Sequence, residues 1–421
     1  MQFCSSLLLP LAAIFYLTAA SPSGGSHGRK CKNVRSLTVP GAEVVSISTA
    51  ELQHGKVCSV NVTLTHPGVD DQVKVWVWLP AAKDWNGRFQ GVGGGGWTAG
   101  QGEVDLVVPV SQGYAAASTD AGGQDFFPEG ADGPNLGLLN DFASRSLHEM
   151  TLVGKQLAKS LYGREPHHSY WNGCSTGGRQ GHILAQKYPT DYDGILGAAP
   201  ALYWPSFNLA LWWPDFVMQH VGVLPSQCEL AVFQKAVIDK CDELDGVRDR
   251  IIGNVAACEF DPISVVGTKV ECYGKQITIS DKVALVVKLV HQGPRSPSGF
   301  QLWDGYDYGS DYSFILRTLT DDDGETTLFE EPSLGTWIRV FLKKDPEFDL
   351  KSIKTLEEVT ELFASAHSQY GGMIGTDDPD LLHWPPCFGR TVGRSPLKNV
   401  NSARGRCQGG IAPNPSHQHI A

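Results

Sequence analysis

The chain has little positive charge, and it lacks a long apolar run after its first twenty residues. It carries 34 lysine and arginine residues against 45 aspartate and glutamate residues, a formal net charge of -11. Because nucleic acid is bound by basic surfaces, this balance argues against nucleic acid as a partner. No later stretch reaches the roughly 18 to 20 apolar residues that a membrane-spanning helix needs, so we expect no membrane partner.

The N-terminus has the pattern of a secretory leader. Residues 7–20 form an apolar run that ends in small residues, which predicts a signal peptide over residues 1–20. The chain has ten cysteines, and all but Cys4 follow the leader. Asn61-Val62-Thr63 is a sequon that predicts glycosylation at Asn61. Cysteines in this number suit an oxidising compartment, so we expect a secreted, extracellular protein.

The most informative motif is Gly173-Cys174-Ser175-Thr176-Gly177, which fits G-x-S-x-G. A serine hydroxyl is a weak nucleophile, and a sharp strand-to-helix turn exposes it to a base and to the helix N-terminus. Residues 169–172 read as a strand, and residues 180–188 can form a helix that ends before Pro189. The motif therefore predicts a serine hydrolase with Ser175 as the catalytic nucleophile.

The flanking sequence alternates between strand and helix patterns. Short apolar runs predict strands at residues 73–79, 89–92, 114–118 and 194–198. Apolar residues at three- and four-residue spacing predict a helix over residues 147–161, and Gly163 is its expected C-terminal stop. Such alternation is typical of a mostly parallel sheet covered by helices. The predicted fold class is α/β, specifically the α/β-hydrolase fold.

A glycine run at residues 91–96 precedes the motif and allows three interpretations. It satisfies G-x-G-x-x-G, a dinucleotide fingerprint, but the residues after Trp97 are a poor helix start. A flexible surface loop is the second possibility. The third, which we favour, places a backbone N–H near Gly94 beside the N–H of Thr176 as an oxyanion hole.

The chain resembles the tannase and feruloyl esterase family of secreted esterases. The resemblance rests on Trp85-Asn86-Gly87-Arg88-Phe89, the glycine run, His148-Glu149-Met150 and residues 172–181, and it extends from about Cys31 to about Asp380. It implies that Ser175 is the nucleophile of a phenolic acid esterase. It also implies a disulfide from Cys174 to a cysteine beside the catalytic histidine.

Residues 201–375 are rich in tryptophan and acidic residues, and we interpret them as a lid inserted over the active site. Within this lid, Asp242, Asp245 and Asp249 surround a glycine turn, and Val247 and Ile251 could add carbonyl ligands for calcium. Spacing alone does not separate a cation site from a solvated acidic turn, but the family resemblance implies structural Ca²⁺. Cys241 and Cys258 flank this loop and are expected to pair. Cys31 is expected to pair with Cys58, whereas the pairing of Cys228 and Cys272 stays open.

The C-terminus departs from the family pattern. The family places its triad aspartate and histidine after the lid, but no acidic residue follows Asp380. Arg406 stands where the resemblance implies the histidine, next to Cys407, the implied partner of Cys174. Arginine stays protonated and cannot act as the base. His417 and His419 are weak candidates, because a terminal segment is usually a tail.

Two explanations of this ending stay open: the C-terminal core has decayed, or the sequence leaves its reading frame near Leu381. The predicted organisation is a signal peptide at 1–20, a hydrolase core at 21–200, the lid at 201–375 and an aberrant segment at 376–421, with the C-terminal part of the core incomplete. Three function classes follow, in order of preference. They are a secreted calcium-stabilised serine esterase acting on feruloyl or galloyl esters, a catalytically impaired relative, and a nicotinamide-dependent oxidoreductase.

Overall fold

The computed structural model describes residue 31 and residues 36–53, 55–272, 274–329, 331–379 and 391–392. The predicted signal peptide, Arg406, Cys407, His417 and His419 lie outside these residues. The described strands are β1 Glu43–Leu52, β2 Val57–Thr65, β3 Val73–Pro80, β4 Arg88–Val92, β5 Ala115–Thr119, β6 His168–Cys174, β7 Gly194–Ala198, β8 Lys269–Cys272, β9 Lys275–Thr278, β10 Thr318–Thr320, β11 Thr326–Leu328 and β12 Thr391–Val392.

The central sheet has eight strands in the order β1-β2-β3-β5-β4-β6-β7-β12. The first three strands and the β3–β5 pair are antiparallel, whereas β5, β4, β6, β7 and β12 run parallel to one another. The strands predicted near residues 73–79, 89–92, 114–118, 169–172 and 194–198 are all confirmed. Parallel strands joined by helices are the α/β architecture that the sequence predicts.

The described residues form ten α-helices. They are α1 Val107–Ser111, α2 Leu136–Asn140, α3 Ser146–Tyr162, α4 Thr176–Lys187, α5 Trp204–Val221, α6 Gln227–Cys241, α7 Asp281–Gln292, α8 Tyr312–Ile315, α9 Pro332–Thr336 and α10 Leu356–Ile374. Two π-helical turns, Asp141–Arg145 and Trp337–Lys343, precede α3 and follow α9. No helix within the described ranges is long and apolar enough to cross a bilayer.

Helices α3 and α4 hold the sheet from one face. Helix α3 packs on β3, β4 and β5, α4 packs on β6 and β7, and the two helices contact each other. Gly154 of α3 lies so close to Phe89 of β4 that an added Cβ would be 2.7 Å from the ring Cζ. Helix α3 ends at Gly163, whose φ of +76° confirms the predicted stop.

The lid residues form their own core around an aromatic cluster. Helix α5 packs against α7 and α10, and the short hairpins β8–β9 and β10–β11 pack against α6. Trp97 of the glycine run enters this cluster, and its ring stacks on Phe341 at 5.6 Å. The buried cluster therefore also includes residues that precede the predicted lid, among them Trp97, Phe126 and Phe142. The predicted domain boundaries themselves stay predictions.

Three disulfides join described cysteines. Cys31–Cys58 and Cys241–Cys258, with Cα atoms 5.7 and 5.4 Å apart, are pairs that the sequence predicts. Cys228–Cys272, which the sequence leaves open, has its Cα atoms 6.0 Å apart. Cys174 is also disulfide-bonded, but Cys407 lies outside the described residues, so the predicted Cys174–Cys407 pair stays a prediction.

Candidate active site

Ser175 occupies a strained turn between β6 and α4. Its φ of +60° and ψ of -117° are unusual for a residue with a side chain. The turn is over-determined by the backbone: Ser175 N–H donates to Ala198 C=O at 2.9 Å, and Ser175 C=O accepts from Arg179 N–H at 3.0 Å. An added Cβ at Gly173 would lie 2.7 Å from Gly177 Cα. The geometry is that of a nucleophile elbow, which lifts the serine side chain away from the strand.

The first turn of α4 carries the amide groups beside Ser175. Thr176 is 1% exposed, and its hydroxyl donates to Gly96 C=O at 2.6 Å. Its N–H begins the helix, where amides have no carbonyl partner one turn earlier. The positive end of the helix dipole favours negative charge at this position. Thr176 is therefore placed as the oxyanion prediction requires, although its role stays a prediction.

Gly94 lies against the same turn, but its amide is already engaged. Its N–H donates to Gln180 Oε1 at 3.1 Å, and its C=O accepts from Gly177 N–H at 2.9 Å. The structure therefore places Gly94 beside the elbow with its N–H directed at a protein side chain. The oxyanion role of Gly94 stays a prediction that this contact disfavours.

A general base is not found next to Ser175 among the described residues. The Ser175 hydroxyl makes no hydrogen bond to any of them. His182 on α4 bonds Gly178 C=O at 2.9 Å, and burial lowers its pKa. His148 pairs with Asp191 at 2.7 Å. Asp191 precedes the N-terminal end of β7, whereas Ser175 follows the C-terminal end of the parallel strand β6, so the two lie at opposite ends of the strands. The bonds of these two histidines go to residues other than Ser175, and the triad partners stay unidentified.

The predicted calcium loop has suitable donors. It follows α6 between Cys241 and Cys258, and Asp242 is only 6% exposed. Asp242 Oδ1 accepts one long bond, from Asp249 N–H at 3.3 Å. The Asp245 carboxylate accepts hydrogen bonds from Val247 N–H at 2.9 Å and from Gly253 N–H at 3.1 Å, so it joins two parts of the loop. Three carboxylates on one tight loop fit a hard cation by donor chemistry.

The structure reveals a buried ionic cluster that the sequence analysis does not predict. His66 lies 2.6 Å from Asp71 and 2.8 Å from Glu149, and Arg145 pairs with both Asp71 and Asp141. Among the described residues, His66, Asp71 and Asp141 form the one group of three metal-type ligands within 4.8 Å. However, both imidazole nitrogens face carboxylates and Arg145 supplies a second cation, so the carboxylates already have protein partners in place of a metal.

The sequence spacing of the charged residues in this cluster could have indicated that they lie together. Asp141, Arg145 and Glu149 recur at four-residue intervals, which places them on one helical face. Burial opposes the charged form of His66, but its hydrogen bonds to Glu149 and Asp71 outweigh that effect and raise its pKa. Burial raises the pKa of Glu149 and raises that of Asp141 to about 7.

The predicted glycan site, Asn61, lies inside β2 and not in a loop. Its neighbours across the sheet are Ser48 on β1 and Trp76 on β3, and its Oδ1 is buried without a partner. Glycosylation at Asn61 stays a prediction.

Comparisons with known proteins agree on one family. The family model described as "Tannase and feruloyl esterase" matches residues 57–392. The "Probable feruloyl esterase" of Arthroderma benhamiae is 41% identical over 396 residues, which cover 89% of this chain and 73% of that protein. The "Tannase" of Aspergillus oryzae is 32% identical over 383 residues, 80% of this chain and 64% of that protein. This chain therefore spans less than two thirds of the Aspergillus oryzae relative.

Solved structures show the same fold. "Tannin acyl hydrolase from Aspergillus niger" superposes with a TM-score of 0.72 at 25% identity, covering 84% of this chain and 68% of that chain. Feruloyl esterase B from Aspergillus oryzae gives a TM-score of 0.71 at 24% identity, covering 87% and 74%. These likenesses confirm the predicted α/β-hydrolase fold. Since the family model covers most of the sequence and the relatives named here are carboxylic ester hydrolases, the chain belongs to the tannase and feruloyl esterase family.

Proposed function

We propose that this protein is a secreted carboxylic ester hydrolase that acts on esters of phenolic acids, with Ser175 as its nucleophile. The observation that carries the proposal is the strained backbone of Ser175 between β6 and α4. Strain of about 1 to 3 kcal/mol persists where the surroundings over-determine it, and it clusters at functional sites. The names of the relatives, feruloyl esterase and tannase, supply the substrate class.

The proposed reaction has two acyl-transfer steps. Ser175 Oγ attacks the ester carbonyl, its proton passes through a general base to the departing alcohol, and an acyl-enzyme forms. Water then attacks the acyl carbonyl, returns a proton to Ser175 and releases the acid. Backbone amides at Thr176 and in the glycine run hold the negative charge of each tetrahedral intermediate. We propose that the base comes from beyond the described residues, where the sequence has His27, His54, His383, His417 and His419.

Secretion is part of the same proposal. The apolar leader over residues 1–20 supports it, and so do the three disulfides of the described cysteines. Disulfides persist in oxidising compartments and are rare in reducing ones.

Structural calcium is likewise proposed, held by the carboxylates of Asp242, Asp245 and Asp249 and the carbonyls of Val247 and Ile251. The disulfide that closes this short loop supports the role, and because the three carboxylates do not lie within 4.8 Å of one another, a bound cation would have to draw them together.

A catalytically impaired relative is the second candidate function. It is favoured by the Ser175 hydroxyl, which lacks a hydrogen bond to any described side chain. In a well-studied serine protease, loss of triad members leaves only about 10³ to 10⁴ of rate enhancement, supplied by the oxyanion hole and substrate binding. Such a protein would bind a phenolic ester without turning it over.

The test is hydrolysis of methyl ferulate and methyl gallate by the full chain and by Ser175→Ala. The matched control is Ser111→Ala, an exposed serine at the end of α1 that bonds only Val108 C=O. We expect turnover by the wild type and the control but not by Ser175→Ala, and stoichiometric labelling of Ser175 by an aryl phosphonate. A folded wild type without turnover or labelling would contradict the esterase proposal, and ligand-induced thermal stabilisation would then support the impaired relative.

A further inference from the structure

The glycine loop, residues 93–99, is pinned to the first turns of α4 by its backbone. Gly94 C=O accepts from Gly177 N–H at 2.9 Å, and Gly96 C=O accepts from the Thr176 hydroxyl at 2.6 Å. Gly93 N–H donates to Asn172 C=O at 3.0 Å on β6. The loop therefore lies over the elbow that carries Ser175.

One side chain spans this loop. Gln180 is fully buried, and its Oε1 accepts from Gly94 N–H at 3.1 Å while its Nε2 donates to Ala99 C=O at 3.0 Å. An added Cβ at Gly93 would lie 2.6 Å from Gln180 Oε1, so the loop and the amide are in close contact. The amide of glutamine carries one acceptor and one donor, and here each meets its complement on the loop.

The two hydrogen bonds of the Gln180 side chain, to Gly94 N–H and Ala99 C=O, are called the clamp. They leave two amides of the loop without a hydrogen bond to a described residue. No described group accepts a bond from the N–H of Gly95 or Gly96, and an added Cβ at either position would meet nothing within 4 Å. Gly95 C=O is held by Thr98, whose N–H and hydroxyl donate at 3.0 and 2.8 Å. The carbonyl of Gly95 is therefore fixed inside the loop, while its amide has no acceptor among the described residues.

The far end of the loop is anchored in the lid. Trp97 Nε1 donates to Ser333 C=O at 3.1 Å, and its ring packs edge-on against Trp204 at 5.1 Å. Between the anchors at Gly93 and Trp97, the carbonyls of Gly94 and Gly96 bind the first turn of α4, and the side chain of Gln180 binds Gly94 N–H and Ala99 C=O. Removing the Gln180 amide would release Gly94 N–H and Ala99 C=O and leave both anchors and both carbonyl bonds in place.

We propose that Gln180 is a positioning residue that sets the glycine loop so that one of its unengaged amides, that of Gly95 or Gly96, and not that of Gly94, binds the oxyanion of the Ser175 reaction. This inference rests on the proposed esterase function. Gln180 acts through the loop and does not touch the substrate. The geometry assigns the Gly94 amide to the clamp, because an N–H that already donates to a buried acceptor gains little by turning to a substrate.

The size of the effect follows from the donor that Gln180 positions. Removing one oxyanion-hole donor lowers kcat by about 10² to 10³-fold in a serine protease, and displacing a donor by about 1 Å has a comparable consequence. The hydrogen bond from the loop amide to the substrate oxygen strengthens as negative charge develops on that oxygen. We therefore expect the loss of Gln180 to lower kcat by a larger factor than it alters KM.

The experiment compares Gln180→Met and Gln180→Glu with Gln186→Met. Gln186 is on the same helix, but its amide donates to Thr376 and Asp378 C=O outside the glycine loop. For Gln180→Met we expect kcat on methyl ferulate to fall about 10²-fold, with KM changed less than about threefold. Gln180→Glu keeps the acceptor for Gly94 but opposes Ala99 C=O, so its kcat relative to wild type should rise as falling pH protonates the buried carboxyl.

Two readouts do not depend on turnover. Amide hydrogen exchange in a peptide covering residues 93–99 should quicken in Gln180→Met, because Gly94 N–H loses its acceptor, and should stay unchanged in Gln186→Met. Ferulate, whose carboxylate oxygen occupies the oxyanion position, should bind about tenfold more weakly to Gln180→Met, whereas the neutral methyl ester should lose less affinity. Both measurements apply to the folded full chain.

The outcomes separate this inference from the esterase proposal. Turnover that persists in Ser175→Ala would overturn the proposed function, and the loop exchange and ferulate affinity would still decide the role of Gln180. Unchanged loop exchange in Gln180→Met would overturn the clamp. Faster exchange with unaltered kcat and unaltered ferulate affinity would overturn the positioning role, as would equal effects in Gln186→Met.

Discussion

His66 and Glu149 form a buried ion pair in which His66 Nε2 lies 2.8 Å from Glu149 Oε1, with the side chains 2% and 4% exposed. The pair joins the end of β2 to α3, the helix that covers the central strands. The second ring nitrogen of His66 faces Asp71 at 2.6 Å. Because both nitrogens meet carboxylate oxygens, the imidazole is held in its protonated form.

The whole cluster has one more acid than base. Three carboxyl groups, those of Asp71, Asp141 and Glu149, meet the two cations His66 and Arg145. One added proton makes the buried group neutral, and Asp141 is the best site because burial raises its pKa to about 7. Its Oδ2 has no hydrogen-bond partner among the described residues, which further disfavours the fully ionised carboxylate.

Asp141 is expected to make stability depend on pH. An unfolded aspartate titrates near pH 4, while burial raises the folded pKa of Asp141 to about 7. Between these values the folded state binds more protons, so the free energy of unfolding falls as pH rises. The raised pKa values of His66 and Glu149 act in the same direction, whereas the lowered pKa of Asp71 matters only below about pH 4. Burial lowers the pKa of His182, and that of His291 to about 4, and these two act in the opposite direction, so the contribution of Asp141 is measured by comparison with a variant and not from wild type alone.

The variant Asp141→Asn isolates this contribution. Asparagine mimics the protonated carboxyl, so the pH slope between about 4 and 7 should shrink by up to about 1.4 kcal/mol per pH unit. Asp125→Asn changes an exposed loop residue and should leave the slope as in wild type. Urea unfolding at several pH values measures both slopes, and equal slopes in wild type and Asp141→Asn would refute the assignment.

The part of the fold around the G-x-S-x-G motif was predictable because its signals are local. The strand periods, the Gly163 stop and the G-x-S-x-G motif each depend on neighbouring residues, and all three are confirmed. Strand β1 is missing from the predicted strands because it is a mostly exposed edge strand with little apolar alternation. Its position is set by pairing with β2, which one segment cannot reveal.

The start of α4 shows where local signals fail. The predicted helix begins at Gln180, but the structure begins it at Thr176. Gly177, Gly178 and Gly181 lower helix propensity, so the sequence disfavours the first turn. Tertiary contacts override this, since an added Cβ at Gly178 would lie 2.8 Å from Pro200 Cα and one at Gly181 would lie 2.8 Å from Trp171 Cδ1. The clamp by Gln180 was hidden for the same reason, since it joins residues 86 positions apart.

The calcium loop gives a prediction for ligand removal. Adding millimolar Ca²⁺ to chelator-treated protein should raise Tm, since a ligand that binds only the folded state at 100 times its Kd stabilises by about 2.7 kcal/mol. Asp245→Asn removes one charged donor at the centre of the loop and should abolish most of this rise. Asp239→Asn, an exposed residue of α6 paired with Lys235, is the matched control and should keep it. The same Tm in calcium and in chelator would refute the site.

A last prediction concerns the contact between α3 and the sheet. Gly154→Ala should destabilise the protein by about 1 to 3 kcal/mol, because the new methyl group would lie 2.7 Å from Cζ of Phe89, a ring with no exposed surface into which it could move. Gly372→Ala is the control, an exposed glycine near the end of α10 with nothing within 4 Å of an added Cβ. There the gain in helix propensity should stabilise by at most about 1 kcal/mol. Urea unfolding compares the stability of the two variants. If Gly154→Ala leaves the free energy of unfolding unchanged, α3 can move away from β4 and the packing of α3 on the sheet is not rigid.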